Sequence, residues 1–246
     1  TLAAYIREQI ADVEIKIIDT SFRPSFQYVD QVLARFEPDI TGIFMDVLLA
    51  ANGLNTARLA RKHGSLVIAG GPHATMAAEK IIRENAVDAV CLGEGEETFR
   101  EFIEAFYNDG NFHGIAGIWY KSNGTIQKNP PRPLLENIDA LPSPAFDLWD
   151  IDKYMDNFFQ LDSCLSDARG ISLTVSRGCP YNCSFCQPTV KKTLGHKVRI
   201  RSPERVIEDA CARALGAGAL EGEAAVMSAL RRAKADLHLS LALADL

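Results

Sequence analysis

The sequence predicts an α/β fold built on a doubly wound parallel sheet. Three features point to it. Apolar, β-branched runs of strand length alternate with amphipathic helical segments through the first half of the chain. Two of the strand runs end in glycines, the punctuation of a tight strand-to-helix turn. The alternation has the rhythm of repeated βα units, which bury a parallel sheet between helices.

Residues 2–10 read as a helix with Leu2, Ala3, Ile6 and Ile10 on one side. Residues 13–19 alternate and then turn apolar, so they read as a strand. Val29, Val32, Leu33 and Phe36 follow the i, i+3, i+4, i+7 rule of an amphipathic helix, which Pro38-Asp39 stops. Residues 39–46 are the next strand and 53–62 the next helix. Residues 66–71 form a short buried strand ending in glycines, and 77–85 a helix. Residues 89–93 repeat the glycine-ended strand, and Phe99, Phe102, Ile103 and Phe106 mark another helix face. Residues 115–121 and 125–128 flank Asn123-Gly124, the type I′ hairpin signal. Together these elements give a Rossmann- or flavodoxin-like domain over residues 1–129.

Open parallel sheets bind ligands at the carboxyl ends of their strands. Two loops stand there, Gly70-Gly71-Pro72-His73-Ala74-Thr75 and Gly93-Glu94-Gly95-Glu96. Glycines let a backbone approach a bulky ligand, and a following helix offers N–H groups. Taken singly, a glycine pair is a tight turn, His73 a packed or capping histidine, and Glu94 and Glu96 carboxylates favouring a helix N-terminus.

The chain has 246 residues, 47% of them apolar, enough for one large or two small domains. A net charge of −6 argues against a broad nucleic-acid surface. No apolar stretch reaches the roughly 18 residues of a membrane span. The opening Thr-Leu-Ala-Ala-Tyr lacks the basic and apolar regions of a secretion signal, nor does it begin with an initiator methionine, so the chain is expected to start inside a longer one. Six cysteines without secretory context suit a reducing cytoplasm. Cys91, Cys164 and Cys211 stand alone and read as packing residues.

Pro130-Pro-Arg-Pro133 and residues 141–149 break regular structure and mark a linker over 130–168. Trp149, Tyr154, Phe158 and Phe159 read as residues that pack it down. Residues 171–176 read as a strand broken by Arg177-Gly178. Cys179, Cys183 and Cys186 then fall on a loop at C-x3-C-x2-C spacing. Three thiolates from one loop can hold three irons of a [4Fe-4S] cube, leaving the fourth iron to a small molecule. A disulfide framework does not suit three neighbouring thiols in so long a chain. A structural zinc site would need a fourth ligand, for which His196 is the candidate. The basic stretch Lys191, Lys192, His196, Lys197, Arg199 and Arg201 reads as a solvated loop over an anionic cluster rather than a nucleic-acid contact. Ser202-Pro203-Glu204 reads as a helix start, with the helix running to about residue 213. After residue 209 the character changes: residues 216–222 are glycine-rich and 223–246 rich in alanine and leucine.

The stretch Cys179-Pro-Tyr-Asn-Cys183-Ser-Phe-Cys186 resembles the cluster loop of the radical S-adenosylmethionine (SAM) enzymes. That resemblance implies Cys179, Cys183 and Cys186 as iron ligands, Phe185 near the adenine, and SAM chelated at the open iron. The segments around Pro38-Asp39, Gly70–Thr75 and Gly93–Glu97 resemble the cobalamin-binding domain found upstream of many radical SAM cores. The likeness covers residues 2–108 and extends through the linker to about residue 209. It implies Gly70, Gly71, Pro72, His73, Ala74, Gly93, Glu94 and Gly95 as corrinoid contacts. It also implies a 5′-deoxyadenosyl radical, methyl transfer from methylcobalamin or a related ring closure or rearrangement, a small-molecule substrate and an electron donor.

Two departures stand out. The Asp-x-His-x-x-Gly signature of histidine-ligated corrinoid proteins is absent, and the family's first strand, ahead of the opening helix, is missing. On this likeness residues 169–213 start a radical SAM βα partial barrel. Residues 214–246 instead weakly resemble a helix of the adenylyltransferase of glutamine synthetase, so a truncated or chimeric product is expected. A corrinoid-binding module with a vestigial cluster loop and a zinc-stabilised domain stay open as alternatives to an enzyme.

Overall fold

In a computed structural model, which describes residues 1–156, 173–184 and 189–216, the first half folds around a five-stranded sheet in the order β1-β2-β3-β4-β5. Strands β1 (Ile40–Phe44), β2 (Leu66–Gly70) and β3 (Ala89–Cys91) run parallel. The hairpin β4 (Ile118–Ser122) and β5 (Thr125–Lys128) continues the sheet antiparallel. Strands covered on both faces read as unbroken apolar runs, and Val67, Ile68, Ala69, Ala89 and Val90 are at most 2% exposed. At the hairpin turn Asn123 and Gly124 both take positive φ, 49° and 75°, as a type I′ turn requires.

Helices cover both faces. On one side α2 (Phe26–Phe36), α3 (Ala50–Lys62), α4 (Pro72–Met76) and α5 (Ala78–Ile81) bring Val29, Leu33, Ala57, Ala60, Ala74 and Ile81 onto Met45, Val67, Ala69 and Val90. On the other, α6 (Glu96–Asn108) brings Phe102 onto Ile68, Ala89, Ile118 and Tyr120. Beside it, α1 (Leu2–Gln9) packs Tyr5 and Ile6 against Ile103. Val67 and Ala69 enter one layer and Ile68 the other, the period-two alternation of a strand.

Three expectations are corrected. The strand expected at 13–19 forms no ladder: those residues run without strand pairing. The alternation survives, since Val13 and Ile15 pack beside α1 and Ile18 beside α2, but no described strand lies alongside to receive its backbone groups. The helix expected at 77–85 begins earlier, at Pro72, whose fixed φ suits a first helical turn, and it is split at Ala77 (φ −111°, ψ 25°). Helix α3 starts at Ala50, ahead of the expected residue 53.

The linker lies across α6. Arg132 Nε donates to Thr98 Oγ1 at 2.9 Å, and Ile138 and Leu141 join the Tyr5–Ile103 cluster. Tyr154, on α7 (Ile151–Asp156), donates its hydroxyl to Asp19 at 2.6 Å and stands 5.7 Å from the Trp149 ring. In the second half β6 (Ser176–Arg177) pairs antiparallel with β7 (Arg199–Ile200), and α8 (Thr189–Leu194) lies between them in sequence. Helix α9 (Pro203–Gly216) opens as expected, with Ser202 Oγ accepting the Arg205 N–H at 3.3 Å. The strand expected at 171–176 is corrected: residues 173–175 carry no strand, 171 and 172 lie outside the described residues, the pairing is confined to Ser176–Arg177, and the break comes at Gly178, with φ 99°. The basic stretch is corrected in part: Lys192, His196 and Lys197 are exposed, but Arg199 and Arg201 are buried in ion pairs. Phe158, Phe159, Cys164, Phe185, Cys186, the Cys211 side chain and residues 217–246 lie outside the described residues.

Phe102 is fully buried, with its ring stacked 4.5 Å from that of Phe112. Phe102→Ala is expected to cost about 3–5 kcal/mol, read as a lower urea midpoint at unchanged slope.

Candidate functional site

The carboxyl ends of the three parallel strands are tied into one rim. The Met45 N–H donates to Gly70 O at 2.8 Å, and the His73 N–H donates to Met45 O at 3.0 Å. Thr75 bridges the two glycine loops: its hydroxyl donates to Gly71 O at 3.0 Å and accepts the Gly93 N–H at 3.1 Å. Gly71 has φ 98°, and a Cβ there would lie 2.9 Å from both Met45 O and the Phe44 ring. Gly70 has room, its nearest neighbour being Cys91 Cβ at 3.8 Å. The rim is therefore fixed by backbone contacts that tolerate no side chain at Gly71.

The residues expected to touch a ligand divide. Gly70, Gly71, Pro72 and His73 stand on the rim, each partly accessible. Ala74 is fully buried among the α2–α5 core residues, so its side chain is packing. Gly95 faces inward, with Cys91 Sγ 3.6 Å from where a Cβ would stand. Gly93 faces α8, with Thr193 O at 3.6 Å from its Cβ position. Thr193 is buried, and its Oγ1 has no hydrogen-bond partner in the described structure.

Glu94 has a different role from the contact expected. Its side chain is 4% exposed and is engaged by protein on every side. Arg177 Nη1 donates to Oε1 at 2.8 Å, and Arg199 Nη1 donates to Oε1 and Oε2 at 2.9 and 2.8 Å. The Leu135 N–H donates to Oε2 at 2.8 Å. Arg177 also donates to Glu96 at 2.6 Å, and Arg199 to the carbonyls of Leu135 and Leu194 at 2.6 and 2.8 Å. Burial pushes the Glu94 carboxyl up, but the bonds from Arg199, Arg177 and Leu135 outweigh it and hold it below its ordinary 4.5. Nearby, Cys91 is buried beside Glu96, and desolvation pushes its thiol up to about 12, which keeps it a neutral packing residue.

The cysteine loop leaves this junction directly. Gly178 leaves no room for a side chain: a Cβ there would collide with Lys197 O. The Cys179 N–H donates to Gly195 O at 3.2 Å. Cys179 and Cys183 carry free thiols, the first partly buried and the second exposed. Lys191 on α8 reaches back to Asn182 Oδ1, and α8 itself packs on α4, the helix of the first glycine loop. His196 is exposed on the turn after α8.

One feature of the rim went unread in the sequence. Phe44, Val47 and Leu48 are 65%, 67% and 87% exposed at the carboxyl end of β1, beside Gly71. Asp46 fixes this turn by accepting the N–H groups of Leu48 and Leu49 at 2.8 Å each. The signal is the run Phe44-Met-Asp-Val-Leu-Leu49, apolar where a strand-to-helix loop is ordinarily polar. An apolar shelf beside a close-approach glycine suits a large, flat, partly apolar ligand.

Comparison with known proteins bears on the family and the fold. Residues 1–103 match the B12 binding domain family. The chain is 36% identical over 212 residues to an uncharacterised methyltransferase of Pyrococcus horikoshii, covering 85% of this chain and 43% of that protein. It is 29% identical over 206 residues to the cytidylyl-2-hydroxyethylphosphonate methyltransferase of Streptomyces wedmorensis, covering 73% and 38%. Its fold matches the cobalamin-dependent S-adenosylmethionine radical enzyme OxsB, solved with aqua-cobalamin and S-adenosylmethionine bound, at a TM-score of 0.67 and 26% identity. That match covers 89% of this chain and 28% of the other. The chain spans less than half the length of these curated relatives.

Two outcomes follow from the rim and the junction. Gly71→Ala is expected to lower the thermal midpoint by several degrees, whereas Gly70→Ala leaves it within about a degree or two; differential scanning calorimetry checks both. Glu94 has a depressed folded value, so its stabilisation is complete above pH 4.5 and lost as pH falls through that lower value. Urea midpoints measured down a pH series should therefore fall more steeply below pH 4.5 in the parent than in Glu94→Gln.

Proposed function

Residues 1–103 belong to the B12-binding domain family, the chain is related to cobalamin-dependent radical SAM enzymes, and on that premise we propose that it is the front part of a methyl-transferring radical SAM protein. The observation that carries the proposal is that the two elements flanking the C-x3-C-x2-C run contact the glycine-loop side of the first domain, α8 on α4 and Arg177 on Glu94. A loop of metal-binding thiols beside a ligand rim is what a two-cofactor reaction requires.

The residues fit the groups they would hold. Cys179 and Cys183 are free thiols with solvent access, the state that iron ligation needs, and Cys186 completes the spacing. Phe185 would lie near the adenine of SAM. On the rim, Gly70, Gly71, Pro72 and His73 would line the corrinoid, with Phe44, Val47 and Leu48 as the apolar shelf beneath it. Thr193, whose backbone oxygen faces Gly93, also carries a buried hydroxyl without a hydrogen-bond partner in the described structure, which fits a polar ligand atom. When bound, the cluster with SAM would supply a carbon-centred radical and the corrinoid a methyl group. The protein's own share is positioning. The rim would fix one cofactor seat through backbone contacts, and the junction at Glu94 would hold the other against it.

A small-molecule substrate, an external electron donor and a reducing cytoplasm complete the proposal. No helix among the described residues is long and apolar enough to cross a membrane.

Anaerobic iron–sulfide reconstitution of the full chain tests the cluster. Iron and sulfide near four atoms each are expected for the parent. Cys179→Ala, Cys183→Ala and Cys186→Ala should each lose most of it. Retention of the parent's iron content by all three variants would sink the cluster assignment. Binding of cobalamin, followed by its visible spectrum, tests the rim independently, and formation of 5′-deoxyadenosine from SAM under reducing conditions tests turnover.

A further inference from the structure

Arg177 and Arg199 are cross-strand partners in the β6–β7 pair; Arg177 pairs with both Glu94, on the loop after β3, and Glu96, at the start of α6, while Arg199 pairs with Glu94. Two cations on facing residues of a two-residue ladder would push the strands apart unless anions stood between them. Glu94 and Glu96 are those anions, and the four side chains, each 16% exposed or less, balance to zero charge. The arrangement joins three pieces of chain at one point. Glu94 and Glu96 come from the B12-binding domain, Leu135 from the linker, and Arg177 from the position two residues before Cys179.

The backbone between Arg177 and Cys179 has no slack. Gly178 leaves no room for a side chain, since a Cβ there would collide with Lys197 O, and the Cys179 N–H is held by Gly195 O. Wherever the Arg177 guanidinium is held, the first thiol is held too. We propose that this buried four-charge junction sets the position of the cysteine loop relative to the glycine rim, with Arg177, Glu94, Glu96 and Arg199 as positioning residues. The inference rests on the proposed function for its purpose, since a radical formed at one seat and a methyl group carried at the other must reach the same carbon. It does not rest on that function for its physics.

The decisive variant is Glu96→Gln, which removes one anion and leaves the Arg199–Glu94 pair in place, so that the fold is kept. Glu94→Gln is the stronger companion, because it leaves two buried guanidinium groups facing one acid. Amide hydrogen exchange is measured on the full chain without cofactors. Glu96→Gln should speed exchange at residues 176–183 about tenfold or more, the effect of losing one charge-assisted hydrogen bond. Exchange at β1 and β2 should stay as in the parent. Arg177→Lys, which keeps the charge but not the two-pronged geometry, should fall between. Acceleration confined to residues 93–103, or spread evenly over the chain, overturns the proposal, because the junction would then only stabilise its own domain or the whole fold.

A second readout separates this inference from the proposed function. In reconstituted protein loaded with cob(II)alamin, with the cluster reduced by dithionite to its paramagnetic [4Fe-4S]+ state, pulsed electron paramagnetic resonance gives the cluster-to-cobalt distance distribution. A broader distribution in Glu96→Gln than in the parent supports the positioning role. An unchanged distribution, with both cofactors bound, overturns it while the proposed function stands. If the parent binds neither cofactor, the proposed function falls, and the exchange result alone decides the junction.

Discussion

The carboxylate of Glu94 sits between two guanidinium groups that arrive from adjacent strands, and it also accepts a backbone N–H from the linker. Moving such a group out of water is costly, and removing one partner of a buried pair typically costs about 3–5 kcal/mol. The second half of the described chain depends on this contact. Its own sheet is two strands of two residues each, far too small to stand alone. What holds the cysteine loop is its attachment to the larger domain, at the junction and through the packing of α8 on α4.

The larger domain can serve as that anchor because its rim is rigid. The parallel order of β1, β2 and β3 brings three strand ends to one side, and Thr75 and the Met45 carbonyl knit their loops together. A second attachment of the same chemical kind lies farther along the linker. Arg201 pairs with Asp209 in the interior, Ser143 also reaches Asp209, and the Ser202 N–H donates to Asp139 at 2.9 Å. Residues 132–143 of the proline-rich segment are thus tied to both neighbouring parts of the chain by partly buried polar contacts.

Much of this was readable from residue patterns. The helix faces at Val29–Leu33 and Phe102–Ile103, the glycine-ended strands, the Asn123-Gly124 hairpin and the Ser202 cap each depend on neighbours close in sequence, and each stands where the pattern puts it. The failures have a common origin in distant contacts. Residues 13–19 alternate as a strand should, but a ladder needs a partner that no local pattern reveals. Arg199 and Arg201 look like part of a solvated basic run until the fold brings Glu94 and Asp209 to them. Glu94 was legible as important from its place after a glycine-ended strand, but whether its oxygens meet a ligand or an arginine is decided by residues 83 and 105 positions away.

The sheet also has a side on which nothing described is paired. Strand β1 bonds to β2 along one flank, and among the described residues its other flank meets no strand. An edge strand that ends in outward-facing Phe44, Val47 and Leu48 is the kind of surface on which the same segment of a neighbouring molecule can add. Handled by itself, this polypeptide should self-associate as its concentration rises, and a lysine placed in β1 would be the simplest way to keep preparations monodisperse.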